Sequence, residues 1–151
     1  MVKRAEIFAQ YAARKKEMEE AVGRYREVER IGKEHNDRDL LRRLEDIRQM
    51  CRYLIEAYVR FEEWQDEHRG DLTPDQRADF VDLRRSWLDV VGGVRMHVLY
   101  FNEDAAGWYG QQPKGKMPLG GLWNLHPADV PSGGKVTDWA FYIEIGLGGT
   151  E

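Results

Sequence analysis

The stretch from Arg38 to His68 constrains the fold more than any other part of the chain. Leu40, Leu44, Ile47, Cys51, Leu54, Tyr58 and Phe61 recur there at alternating steps of four and three. With 3.6 residues per turn, such positions share one face, so the spacing predicts a single long helix with an apolar seam. A seam of that kind must lie against something.

The preceding segment offers a partner. Phe8, Tyr11, Met18, Val22 and Tyr25 follow a heptad-like pattern over about Lys3 to Ile31, widened by Ala21 and Val28. Gly32 is placed to end that helix, and Asn36 or Asp37 to cap the next by accepting a bond from its free amides. So short a connection makes the two helices an antiparallel hairpin. Tyr11 would then face Phe61, Met18 would face Leu54, Val22 would face Cys51, and Tyr25 would face Ile47.

Length gives the hairpin a second consequence. A helix of this size is roughly 45 Å long, whereas a globule of this mass has a radius of gyration of about 15 Å. The hairpin is therefore expected to project. Ile7, Leu41, Met50, Ile55 and Trp64 form a further apolar face on it, and these are the expected oligomer interface, with a homodimer favoured.

Thr73-Pro74-Asp75-Gln76 carries the plainest local signal in the chain. A capping threonine, a first-turn proline and a glutamine three residues after the cap make a capping box, so a third helix begins there. Phe80, Leu83, Trp87, Val90 and Val91 face inward, and Gly92-Gly93 is expected to stop it near Val91.

At that point the composition changes. Residues 1–91 hold 19 Lys and Arg against 21 Asp and Glu, while residues 92–151 hold 4 and 6 together with 12 of the 15 glycines. Val94, Met96, Val98 and Tyr100 alternate with polar and apolar neighbours up to Phe101, and Val136 to Leu147 alternates likewise through Trp139, Phe141, Ile143 and Ile145. Period two predicts two strands. Between them lie 34 residues rich in Gly, Pro and aromatics, with short strands expected around Gly107 to Gln112 and Leu119 to Trp123. The fold class read from the sequence is thus α+β. Its helical region, residues 1–91, has helices near 3–31, 38–68 and 74–91, and a small antiparallel β module, residues 92–151, packs on it as part of one compact unit.

Charge and cysteine content narrow the function. A net charge of −4 leaves no basic footprint for nucleic acid. The single cysteine, Cys51, excludes an internal disulfide and any multi-cysteine zinc site, and it fits a cytoplasmic protein. No apolar run is long enough for a membrane helix. Cys51 sits in the seam, so a small core residue is expected rather than a nucleophile. His35, His68, His97 and His126 lack the paired spacing of a metal site, and the glycine-rich pieces lack the lysine and following helix of a phosphate cradle. No cofactor and no metal are expected.

Three functions follow in order. The leading expectation is a non-enzymatic interaction or assembly protein, self-associating through the hairpin and contacting a partner through the β module. The alternative is a small-molecule binder for a nucleotide or sugar, using Trp108, Tyr109, Lys114, Lys116, Trp123 and His126, whose aromatic planes suit stacking and whose polar groups suit orientation. Third, Glu17 and Glu20 give ExxE, and Glu34–Asp37 or Glu63–Asp66 gives ExxD, which resembles the paired acidic motif of MazG-type nucleotide pyrophosphatases. That resemblance implies magnesium held by carboxylates on adjacent helices. Glu34 and Asp37 straddle the expected turn, and Glu63 lies some 40 residues beyond the first pair.

Overall fold

Helix-forming signals dominate further along the chain than the composition change suggests. The computed structural model describes residues 2–109 and 133–148, and among them every regular element is a helix. In order these are α1 (Val2–Ala12), α2 (Lys15–Glu34), α3 (Arg38–Glu67), α4 (Pro74–Tyr109) and α5 (Gly134–Gly146). The α+β reading is therefore corrected to an all-helical one.

Gly107 to Tyr109, where a short strand was expected to begin, belong to α4, and the rest of that strand lies outside the described residues. The two longer expected strands are also helical, each for its own reason. Trp87, Val91, Val94 and Val98 are all buried, and they stand at steps of four, three and four. They extend the inward seam of α4 straight through Gly92-Gly93, while Met96, whose position suggested alternation, is 38% exposed. Glycine survives mid-helix at position 93 because a β-carbon there would come within 3.0 Å of Met50 Cε, so the bare backbone lets α4 approach α3. In α5, Val136, Trp139, Ala140, Phe141, Tyr142 and Ile143 are all buried. A helix covered on all sides needs no amphipathic period, and its continuous apolar run imitates a strand.

Local signals hold at the helix starts. Asp37 caps α3, its carboxylate accepting from the Leu40 amide at 3.0 Å. At α4, Thr73 Oγ1 accepts from the Gln76 amide at 3.2 Å and Gln76 Oε1 from the Thr73 amide at 2.9 Å, a complete capping box. Gly133 precedes α5 with φ +69°, and a β-carbon there would lie 2.7 Å from the Trp87 ring. Both facts demand glycine.

The first helix is two helices. At Arg14 (φ −86°, ψ 64°) the chain leaves helical geometry, closing instead with an Arg14 amide to Tyr11 carbonyl bond of 3.0 Å. The break aims Arg14 at α5. Its guanidinium lies 5.0 Å from the centre of the Tyr11 ring, donates to the Tyr142 hydroxyl at 3.2 Å and stands 3.7 Å from Asp138.

α5 also changes how the hairpin closes. It packs against α1, α2, α3 and α4, so it occupies the space in which α2 and α3 were expected to meet. Tyr11 stacks on Phe141 at 4.1 Å, and Met18 and Val22 close over Gly146. Tyr58 meets Phe141 edge-on at 5.9 Å. The outer flank of α3 is covered by α4, whose 36 residues run alongside it instead of ending halfway. One continuous apolar core results, running from Ile7 to Ile143 through all five helices.

A candidate site in the cleft between α3 and α4

Two adjacent arginines, Arg42 and Arg43, open the second turn of α3, and Ile47 follows one turn later. Opposite them α4 places Gly93, Met96 and His97. The absent side chain at Gly93 and the length of Met96 leave a cleft of about 430 Å³ between the helices, lined by these six residues and Asp46. Ile47 is buried and Met96 partly open, so the floor is apolar and the rim charged. The polar groups are partly committed. Arg42 binds Asp39 at 2.7 Å and stands 3.7 Å from Asp46, and His97 Nδ1 bonds the Gly93 carbonyl at 3.1 Å. A carbonyl only accepts, so Nδ1 carries the proton and Nε2 is the ring's second polar atom.

Elsewhere the charged groups serve packing. Glu144 is only 7% exposed, although it carries a carboxylate. It is held by Arg52 Nε at 2.8 Å and Arg48 Nε at 3.4 Å, which tie α5 to α3. Thr137 accepts from the buried Trp87 indole at 3.0 Å and ties α5 to α4. Burial raises the Tyr11 hydroxyl above the ordinary phenol range, and the neighbouring Asp138 carboxylate adds to the shift. Burial likewise pushes Tyr25 and Tyr58 up to about 12. Cys51 is fully buried, and that desolvation drives its thiol far upward, so it stays protonated and unreactive.

The residues expected for an oligomer interface all have company within the chain. Ile7 and Ile55 are buried in its core. Leu41 lies against Gly32, Met50 against Gly93, and Trp64 stacks on His68 at 4.2 Å with Phe80 at 6.0 Å. Of the aromatic ligand set, Trp108 and Tyr109 fall in the last turn of α4, while Lys114, Lys116, Trp123 and His126 lie outside the described residues, as does the expected strand at Leu119 to Trp123.

The acidic pairs do not converge. Glu17 and Glu20 are exposed on α2, Glu34 pairs with Arg30, Asp37 is the cap of α3, and Asp66 pairs with Arg69. Those pairings hold the Asp66 carboxyl below its usual range through its bond to Arg69. Among the described residues, no three His, Cys, Asp or Glu side chains are grouped so as to hold a metal ion.

The cleft itself escaped sequence reasoning. Arg42-Arg43 is visible in the sequence, but its meeting with Met96 and His97 depends on reading residues 92–109 as helix. Comparison with known protein families, curated proteins and solved structures finds no match to this chain. Among the described residues no helix is long and apolar enough to cross a membrane.

Proposed function

We propose that this chain is a non-enzymatic binding protein and that the cleft between α3 and α4 holds a small molecule. The observation that carries the reading is the cleft's volume of about 430 Å³ over an apolar floor with a few polar groups at its edge. Ligand pockets commonly measure roughly 300–1,000 Å³ and have that composition. The cleft offers groups that hold and orient. Arg42 is already paired, and His97 faces no hydroxyl or thiol nucleophile among the lining residues. The proposal places the protein in the cytoplasm, where a lone buried thiol such as Cys51 stays reduced.

Methyl-labelled methionine provides the test. A soluble-ligand screen should yield compounds that shift the Met96 methyl saturably and leave the core-facing Met18 methyl unchanged, with Met96→Leu assigning the signal. Met96→Trp, which fills the cleft from an exposed position, should abolish the response. Hits that bind equally well to Met96→Trp would count against the site.

A second reading, as an interaction protein that assembles with itself or a partner, draws on a different surface. Tyr53 is 60% exposed at a groove of about 350 Å³ that also includes Arg4, Glu56 and Arg60, and an exposed aromatic flanked by charges suits a protein contact. Dimerisation through Ile7 and Ile55 would instead require them to leave the chain's own core. Light scattering over a concentration series, on the native chain and on Tyr53→Ala, separates the readings. A dimer lost in Tyr53→Ala supports assembly, whereas a monomer at all concentrations removes self-association.

A further inference from the structure

We infer that α1 is an exchangeable arm hinged at Arg14. In a second state α1 and α2 join into one straight helix, and α1 docks on α3 and α5 of a second copy of the chain, which returns its own α1 in the same way. The hinge carries the first part of the argument. From Tyr11 to Glu17 the chain reads Tyr-Ala-Ala-Arg-Lys-Lys-Glu, with no glycine, proline or small polar capping residue. Alanine, arginine, lysine and glutamate are among the strongest helix formers. The helix nonetheless stops at Ala12 and restarts at Lys15. Arg14 occupies the cap position of the restart without a side-chain bond, and Lys15 and Lys16 stand at the positive end of the α2 dipole with only Glu17 to offset them. A straight helix through Arg14 would give the amides of Lys15, Lys16 and Glu17 the carbonyls of Tyr11, Ala12 and Ala13. Local preference therefore favours the straight form, and contacts made elsewhere hold the bend.

Those contacts lie on α3 and α5. Ile7 and Tyr11 are buried, Tyr11 stacking on Phe141 at 4.1 Å and Phe8 meeting the same ring edge-on at 5.3 Å. Arg4 makes a two-pronged bond to Glu56 of α3 at 2.7 and 2.9 Å, and Arg14 reaches Tyr142 and Asp138 of α5. None of these partners belongs to α2, the helix to which α1 is tethered. A second copy presents the identical surface, so α1 can dock there with the Arg4, Ile7, Phe8 and Tyr11 contacts re-formed and the helix straight. Ile7 leaves one core only to enter another like it. The Arg14 contacts belong to the bent form alone and act as its latch. Because α1 is itself the segment shaped and charged for that surface, the partner is a second copy.

Light scattering on the full chain, refolded at high concentration, is the test. The native chain should yield a dimer that is at least as helical by circular dichroism as the monomer. Arg14→Ala removes the latch and keeps a strong helix former at the hinge, so it should raise the dimer fraction severalfold. Lys15→Pro should lower it at least about tenfold, because proline suits the first residue of α2 but breaks a helix that runs through it. Charge exchange identifies the docking surface. Arg4→Glu and Glu56→Arg each set like charges together, and each alone should dimerise less than the native chain. Refolding the two variants in equal amounts should restore a mixed dimer, since every arm then meets an opposite charge on the other chain. A strict monomer in both the native chain and Arg14→Ala would overturn the exchange. So would a dimer unchanged in Lys15→Pro, or one that the paired charge variants fail to restore. A dimer lost in Tyr53→Ala yet kept in Lys15→Pro would overturn it too, and would assign association to the groove beside the exposed Tyr53. No residue lining the α3–α4 cleft takes part, so failure here leaves the small-molecule reading standing.

Discussion

Glu144 shows what a single residue contributes. It is a buried acid on a mostly apolar helix, and its two arginines come from the neighbouring α3. Glu144→Gln keeps the volume but leaves Arg48 and Arg52 facing a neutral amide, and a loss of about 2 kcal/mol is expected. Urea unfolding measures it, and an unchanged midpoint would mean that the pairs contribute nothing. The buried tyrosines set the alkaline limit. Tyr25 and Tyr58 titrate near 12 in the folded chain, above the ordinary phenol value of 10.0. The unfolded chain therefore loses these protons first as pH rises. Their contribution is complete below about pH 10 and is lost progressively between about 10 and 12. The urea midpoint should fall from pH 9.5 to pH 11.5, by roughly a few tenths of a molar or more, and a flat profile would show the phenols to be accessible. At this scale the sequence was legible: Cys51 in the core, the Asp37 cap and the Thr73–Gln76 box are local or seam properties.

Among the elements, α4 and α5 carry the lesson about glycine. Gly92 lies in the helix with open space where a β-carbon would go, so Gly92→Ala should stabilise by about 0.5–1 kcal/mol by lowering the entropy of the unfolded chain. Gly146 lies at the end of α5, where a β-carbon would fall 2.2 Å from Val22 Cγ2. Gly146→Ala should cost about 1–3 kcal/mol through overpacking. Thermal unfolding of the two variants should move in opposite directions; the same sign in both would contradict this placement of α5. The long helix expected over 38–68 corresponds closely to α3. Its neighbours were misjudged at their ends, because Gly92-Gly93 reads as a stop, whereas in the fold Gly93 stands close to Met50 and Gly92 faces open space inside a continuing helix.

For the molecule as a whole, the decisive event is the insertion of α5 among the other four helices. It fills the seam between α2 and α3 and leaves α4 to cover the outer side of α3. A chain ending after residue 132 would expose Tyr11, Tyr58 and the other side chains packed around α5, and it should lose cooperative unfolding and bind a hydrophobic dye; a cooperative, dye-free truncated chain would show the four helices to be self-sufficient. What the sequence by itself determined was the periodic seam of α3, the caps at Asp37 and Thr73, the buried thiol and the net charge of −4, since each depends on neighbours within a turn or two or on composition alone. Tertiary structure decided the rest. A helix buried on every side carries no amphipathic signature, so Val136 to Leu147 could read as a strand until its partners surrounded it. The cleft of Arg43, Met96 and His97 likewise exists only where two helices, some fifty residues apart in the chain, come side by side.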